Sequence, residues 1–595
     1  MTGPIGGGTG HDSGGGRDQG GDRDGGGMGH DGGAFSRRRL LAATGAIGIG
    51  AVAAHPAAAA DTATAAVAGV GTAAAAGARA GFEAVTVGPG DPRYPDLVVG
   101  LDRRWVGRPG SVRVVSSPRQ ALDVVQEAVR AGRRLTVRGG GHCYEDFVFN
   151  AEVDVVLDLS EMTSVAFDPV HRAFSVDAGA TLLDVYELLY KTWGVTIPAG
   201  QCYSVGVGGH VAGGGWGLLC RRDGLVVDHL HAVEVVVVDA AGRARLVVAT
   251  RDPQDPHHDL WWAHTGGGGG TFGVVTRYLF RSPDARSDDP ARLLPKPPAE
   301  LLLSAIAWPW EGMTEAVFTR LVRNWTGWHT ANAAPGGRYA GLCGFLLLNQ
   351  RATGEIGLFT VLDGTDADAE QLLDRFVADV TRGVDLPHGA LTRPSGEHGP
   401  LTRYARPKRW SWLTATRHLG TMHPRMVDPT LRGEHKSAYH RAGFTDAQLA
   451  ALYRNLDGRD GFANPFAQAM LTSSGGRVNA VGRTDTANVH RDSAFKLHIQ
   501  TGWSEPSDDD ANVAWARRFY AELYAGTGQV PVPDERTDGC VLNYPDADLT
   551  EAAHNTSGVP WHALYWGENY PRLQRVKAAY DPTDFFRHRQ SVRLP

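Results

Sequence analysis

The chain has little cysteine. Five thiols, Cys143, Cys202, Cys220, Cys343 and Cys540, are scattered over 595 residues. That is too few for a disulfide framework, and the odd count leaves at least one unpaired. There is no CxxC pair and no HExxH, and His210, His231, His264 and His490 share no ligand spacing, so no metal is expected. Outside Arg37, Arg38 and Arg39 there is no basic cluster, and the formal charge is −6, which argues against nucleic acid as a partner. A P-loop is also missing, and the glycine run from Gly206 does not complete the dinucleotide fingerprint. Val211 stands where a third glycine after Gly206 and Gly208 would complete GxGxxG, and GxxxxGK[ST] does not occur.

Apolar residues make up 42% of the chain, enough at this length for a sizeable core and more than one domain. Residues 1–35 include 16 glycines and almost nothing to bury, so disorder is expected there. Residues 36–60 read "SRRRLLAATGAIGIGAVAAHPAAAA": an arginine cluster, a short apolar stretch broken by Gly45, Gly48 and Gly50, then small residues. This pattern fits a cleavable export signal better than a membrane anchor. The paired arginines resemble the signal of the twin-arginine route, whose machinery carries proteins already folded around a cofactor.

From about residue 90 the pattern becomes regular. "SPRQALDVVQEAVRAG" predicts a helix capped by Ser117, with Pro118 in its first turn and Gly132 as its stop. "LTVRG", "VDVVLDLS" and "AFSVDAGA" read as strands, "TLLDVYELLYKTWG" as a helix, and "HAVEVVVVDAAGRARLVVA" as a buried hairpin turning at Ala241-Gly242. Beyond residue 300 the chain is richer in loops and aromatics, with amphipathic helices near 313–325, 368–382 and 445–455.

Three glycine clusters dominate the first half: "RGGGH" at 138–142, "GQCYSVGVGGHVAGGGWG" at 200–217 and "TGGGGGTFGVV" at 265–275. Clustered glycines let backbone approach a ligand closely and turn N–H groups toward an anion.

These clusters, with "NYPDADL" and "YWGENYPRLQRVKAAYDPTDFFRHRQSV" further on, resemble the berberine bridge enzyme-like FAD-linked oxidases of the vanillyl-alcohol oxidase and p-cresol methylhydroxylase superfamily. The resemblance implies an α+β fold: a two-part FAD-binding domain over 90–295 and a substrate domain over 296–540, built on an antiparallel sheet flanked by helices. Residues 541–595 would return to the FAD domain. It also implies that the backbone of Arg138, Gly139, Gly140 and Gly141 holds the FAD pyrophosphate. His142 and Cys202 would bond the flavin ring at two positions, with Cys143 an inert neighbour. Gly208, Gly209, His210, Gly213, Gly215, Val275, Tyr565 and Asn569 would complete the cofactor site.

For catalysis the resemblance implies Tyr544 as base. A phenol titrates near 10, so it needs a positive charge or strong hydrogen bond beside it to act near neutrality. Where some relatives have a second tyrosine this chain has Val541, and where they have a glutamate or aspartate it has Ala480, while Gln500 and Asn479 are candidates to orient a hydroxyl. Val205, three places after Cys202, corresponds to the family's oxygen gate. Tyr404, Trp410, Trp412, Tyr439, Trp503, Tyr565 and Trp566 offer planar faces to sugars or polycyclic substrates. The expectation is a secreted oxidase that takes hydride from an alcohol carbon of a carbohydrate or hydroxylated natural product and reduces O2 to H2O2. The alternatives are a natural-product tailoring oxidase, performing cyclisation or dehydrogenation, and a flavin-containing binding protein without useful turnover.

Overall fold

The computed structural model describes residues 82–595 apart from 396, 397 and 423. The glycine-rich start and the export signal expected over 1–60 lie outside the described residues.

Three sheets carry the fold. The first has four strands in the order Val85–Val87, Ser111–Val114, Val155–Asp158, Leu135–Arg138; the last three run parallel. Residue 138 therefore leaves the edge of this sheet at its carboxyl end, and the glycine run begins there. The helix Pro118–Arg130 bridges two of these strands as expected from its sequence. Ser117 accepts from the Gln120 backbone N–H, Pro118 opens the first turn, and Gly132 follows at φ +62°. Its buried stripe is Ala121, Val124, Val125 and Ala128.

The second sheet is antiparallel, in the order Val165–Asp168, Ala173–Asp177, Val274–Phe280, Leu230–Val238, Ala244–Thr250. Leu230–Val238 is covered on both faces, which is why it reads as an unbroken apolar run. Its partner Ala244–Thr250 is only partly buried and the more polar.

The third sheet is antiparallel and lies within residues 300–503. Its path is Gly389–Ala390, Glu300–Pro309, Glu355–Asp363, Leu342–Asn349, Gln468–Ser473, Phe495–Trp503, Arg432–His440, with Lys408–Ser411 also paired to Glu300–Pro309. The expected amphipathic helices are Glu315–Ala331, Ala369–Thr381 and Asp446–Leu456. The same spacing runs through Trp515, Ala516, Phe519, Tyr520 and Leu523 and forms a further helix, Asp509–Leu523. The glycine-rich region is tied to this sheet: Trp216 Nε1 donates to the Ser473 carbonyl at 3.1 Å, and Arg221 Nη2 to that of Asn332 at 2.8 Å. No helix among the described residues is long and apolar enough to cross a membrane.

Candidate active site

A cleft enclosing about 2500 Å³ of empty space, its open mouth included, runs along the glycine loops and under the third sheet. Its lining draws on all three glycine clusters, on the third sheet and on the segment after 540.

Its floor is made by close backbone packing. A Cβ on Gly140 would fall on the Gly206 backbone nitrogen, and one on Gly206 on that of Gly140. Glycine at 140 and 206 thus serves the contact between two chain segments as well as the approach to a ligand. That contact brings the attachment candidates together. His142 Nε2 lies 2.9 Å from Ser204 Oγ, and Cys202 Sγ lies 3.8 Å from the same hydroxyl. Both residues line the cleft. Burial lowers the His142 imidazole to about 4, so its ring is neutral with a lone pair available; burial pushes the Cys143 thiol up to about 12 and leaves it protonated.

Gly139, Gly141, Gly208, Gly209, Gly213, Val205 and Val275 also line the cleft. Nothing lies within 4 Å of a Cβ built on Gly209. Arg138 is anchored to the buried Asp158 carboxylate at 2.8 Å. His210, half-buried and lowered to about 4 by desolvation, accepts from the Gly200 N–H at 3.1 Å and props the loop that carries Cys202.

Residues after 540 finish the cleft from the other side. Asn543 donates to the carbonyls of Gly209 and His210, Trp566 Nε1 to that of Gly266 at 3.1 Å, and Lys577 Nζ to that of Thr271 at 2.8 Å. Tyr544 is held where the cleft meets the strand Phe495–Trp503. Along that strand Lys496, His498 and Gln500 share a face, as period-two alternation requires.

Lys496 and Gln500 reach the cleft, and Lys496 Nζ donates to the Tyr544 hydroxyl at 3.1 Å while standing 3.7 Å from the centre of the Trp216 ring. Burial lowers the Lys496 ammonium to about 7. His498 lies under Tyr544, ring centres 4.2 Å apart. It shares a 3.0 Å hydrogen bond with His435, which in turn stacks at 3.8 Å on Tyr144, another cleft residue. Gln500 Oε1 is buried without a hydrogen-bond partner.

Four expectations need correction. Asn479 is off the cleft; its amide donates to the carbonyls of Ala333 and Ser493 and steadies a loop. Gly215 turns at φ +73° against Val226, behind the lining. Tyr565 is buried with its hydroxyl accepting from the Asp546 N–H. The Asn569 amide braces the carbonyls of Arg483, Thr486 and Ala487. Of the aromatics singled out in the sequence only Trp566 lines the cleft; Tyr404, Trp412, Tyr439 and Trp503 are buried elsewhere and Trp410 packs beside Tyr404. Tyr144, Phe147, Trp216 and Phe345 are among the other rings that line it.

Lys496, Tyr144 and Ser204 are functional candidates that sequence reasoning missed. Counting back in twos from Gln500 would have found Lys496.

Behind Tyr544 sits a buried ionic cluster. The Lys436 ammonium lies 2.8 Å from Glu434, 2.7 Å from Asp546 and 2.6 Å from Asp548, and Arg517 grips Asp548 with two hydrogen bonds. Glu145, next to Tyr144, accepts from the Ala547 N–H at 2.8 Å and is raised well above the usual carboxylate range, chiefly by burial and then by the Glu434 charge.

Open-sided glycines, a neutral histidine beside a thiol and an unmet Gln500 oxygen fit a bound flavin nucleotide. Comparison with known proteins agrees. Residues 109–245 match the family described as FAD binding domain, and 542–593 that described as berberine and berberine like. The aclacinomycin-N/aclacinomycin-A oxidase of Streptomyces galilaeus is 48% identical over 562 residues, 94% of this chain and 99% of that one. The hexose oxidase of Chondrus crispus is 31% identical over 541 residues, covering 84% and 93%. Among solved structures, aclacinomycin oxidoreductase superposes with a TM-score of 0.80 at 47% identity, covering 86% of this chain and all of that one. A glycopeptide hexose oxidase complexed with teicoplanin gives 0.80 at 44%, covering 87% and 100%.

Fold and site thus define an FAD-linked oxidoreductase. The chain belongs to the berberine bridge enzyme-like family of FAD-linked oxidases.

Proposed function

We propose that the protein oxidises a hydroxyl-bearing carbon of a sugar, free or joined to a larger natural product, and passes the electrons to O2. The single observation that carries this reading is the Lys496–Tyr544 pair on the wall of the cleft. Lys496 Nζ lies 3.1 Å from the Tyr544 hydroxyl, and because burial lowers its ammonium to about 7 the amine is free near neutrality to take on the proton that Tyr544 draws from the substrate. It serves in place of the carboxylate that Ala480 does not provide.

Tyr544 takes the proton of the substrate hydroxyl, while Gln500 Oε1 and the Tyr144 ring orient the substrate. Trp216 closes the far side of Lys496 and keeps water from its nitrogen. The glycine loops and Arg138 would hold the FAD, with His142 and Cys202 as its two covalent tethers. Bound there, FAD supplies the acceptor for the hydride that leaves the substrate carbon. The sugar preference draws support from the relatives, two of which are named hexose oxidases. We also infer export through the twin-arginine route from the motif at 36–60.

The test is hydrogen peroxide release from purified holoenzyme presented with free hexoses, aromatic glycosides and aromatic alcohols. Turnover on hexoses or glycosides is expected. Peroxide from non-sugar alcohols alone would overturn the sugar assignment, and none from any of them would overturn the oxidase reading.

A further inference from the structure

Lysine is rare in this chain. It has six, Lys191, Lys296, Lys408, Lys436, Lys496 and Lys577. Lys436 and Lys577 are buried but gripped by carboxylates, Lys577 by Asp581 at 2.6 Å and Asp584 at 2.9 Å. Lys191, Lys296 and Lys408 are exposed. Lys496 differs from all of them. It is 2% exposed, it lines the cleft, and no carboxylate among the described residues forms an ion pair with it.

We propose that Lys496 is a reversible covalent binding site for aldehydes and ketones, the compounds to which oxidation of an alcohol carbon leads. The identity of the natural electrophile rests on the function proposed above; the reactivity of the amine does not.

Charge around the amine argues for its neutral form. The titratable groups that bear on it are Tyr544 from the segment after 540, Cys220 from the short helix Cys220–Asp223, Cys343 from Leu342–Asn349, His210 from the 200–217 loop, and His498 from its own strand. Burial keeps both thiols protonated and both imidazoles neutral. None of these four supplies the negative charge that would stabilise an ammonium, and its pKa of about 7 leaves a large share of free amine at neutral pH.

Geometry places the electrophile. The substrate oxygen that gives its proton to Tyr544 becomes the carbonyl oxygen, about 2.7 Å from the phenol oxygen, which is itself 3.1 Å from Lys496 Nζ. The amine lone pair attacks the carbonyl carbon, one N–H proton moves to the oxygen through the Tyr544 hydroxyl, and a carbinolamine forms. Loss of the second N–H proton with the hydroxyl, as water, gives the imine. No electrons change hands, and water reverses both steps.

The test labels holoenzyme with glyceraldehyde and sodium cyanoborohydride, which reduces any imine to a stable secondary amine. Arginine-specific digestion and mass spectrometry then locate the adducts. At pH 7 the adduct on Lys496 is expected to form at least tenfold faster than on Lys191, Lys296 or Lys408. Its rate should rise up to about pH 7 to 8 and then level off. Lys496→Arg should abolish that adduct alone. Labelling confined to exposed lysines, or a Lys496 rate that rises only near pH 10, overturns the proposal. Because labelling needs no turnover, it stands apart from the peroxide screen, whose failure would remove the oxidase reading and leave this site intact.

Discussion

Lys496 Nζ lies 3.1 Å from the Tyr544 hydroxyl with the Trp216 ring on its other side, so a proton drawn by the phenol has a nitrogen to pass to. Burial lowers the Lys496 ammonium to about 7, so below that pH the nitrogen is already protonated and above it the free amine is available. kcat/KM is therefore expected to rise with pH, to be about tenfold below its plateau one unit under pH 7, and to level off above it. In Lys496→Met the rise should move toward the ordinary phenol range near 10. Tyr544→Phe, which keeps the ring stacked on His498, should slow flavin reduction by about 100-fold or more with the bound flavin spectrum unchanged. Stopped-flow reduction across pH checks both, and equal rates in Tyr544→Phe and wild type would exclude Tyr544 as the base.

His142 and Cys202 meet through the Ser204 hydroxyl, one on each of two segments pressed together at Gly140 and Gly206. Flavin is expected to stay with acid-precipitated protein, to stay in either single variant, His142→Ala or Cys202→Ala, and to be released in the double variant. Absorbance of the supernatant decides; yellow supernatant from wild type would sink the assignment.

Gly140→Ala places a methyl on the Gly206 nitrogen. The two loops must separate, at a cost of about 1–3 kcal/mol by overpacking. The expected outcome is a lower flavin-to-protein absorbance ratio and a lower Tm. Gly209→Ala, whose methyl meets no protein atom within 4 Å, should leave the stability of the flavin-free protein intact.

Val205 lines the cleft beside Gly206. If it gates oxygen, Val205→Leu should reduce with substrate at nearly the wild-type rate, reoxidise in O2 far more slowly, and recover turnover with a dye acceptor. Reoxidation as fast as wild type would leave Val205 a packing residue only.

Much of this was legible because it is local. Ser117 before Pro118 and glycine at 132 mark a helix whatever surrounds them, and the hairpin after Leu230 announces itself by its valines and its Gly242 turn. The glycine motifs, with His142 and Cys202 among them, line the cleft. Asn479 and Asn569 were misread because an amide beside a motif looks the same whether it faces a ligand or braces a loop carbonyl. Lys496 was hidden for the opposite reason. A lysine on a strand reads as a solvated edge, and only its burial beneath residues nearly fifty positions later makes it chemical.

The segment after residue 540 supplies Tyr544, Trp566 and the lysine that pins Thr271. Order of synthesis then has a consequence for the cell. A ribosome that has finished the first 540 residues has made all three sheets, His142 and Cys202, but not the wall of the cleft to which Tyr544 and Trp566 belong. A message cut short there yields a chain whose cleft stands open on that side.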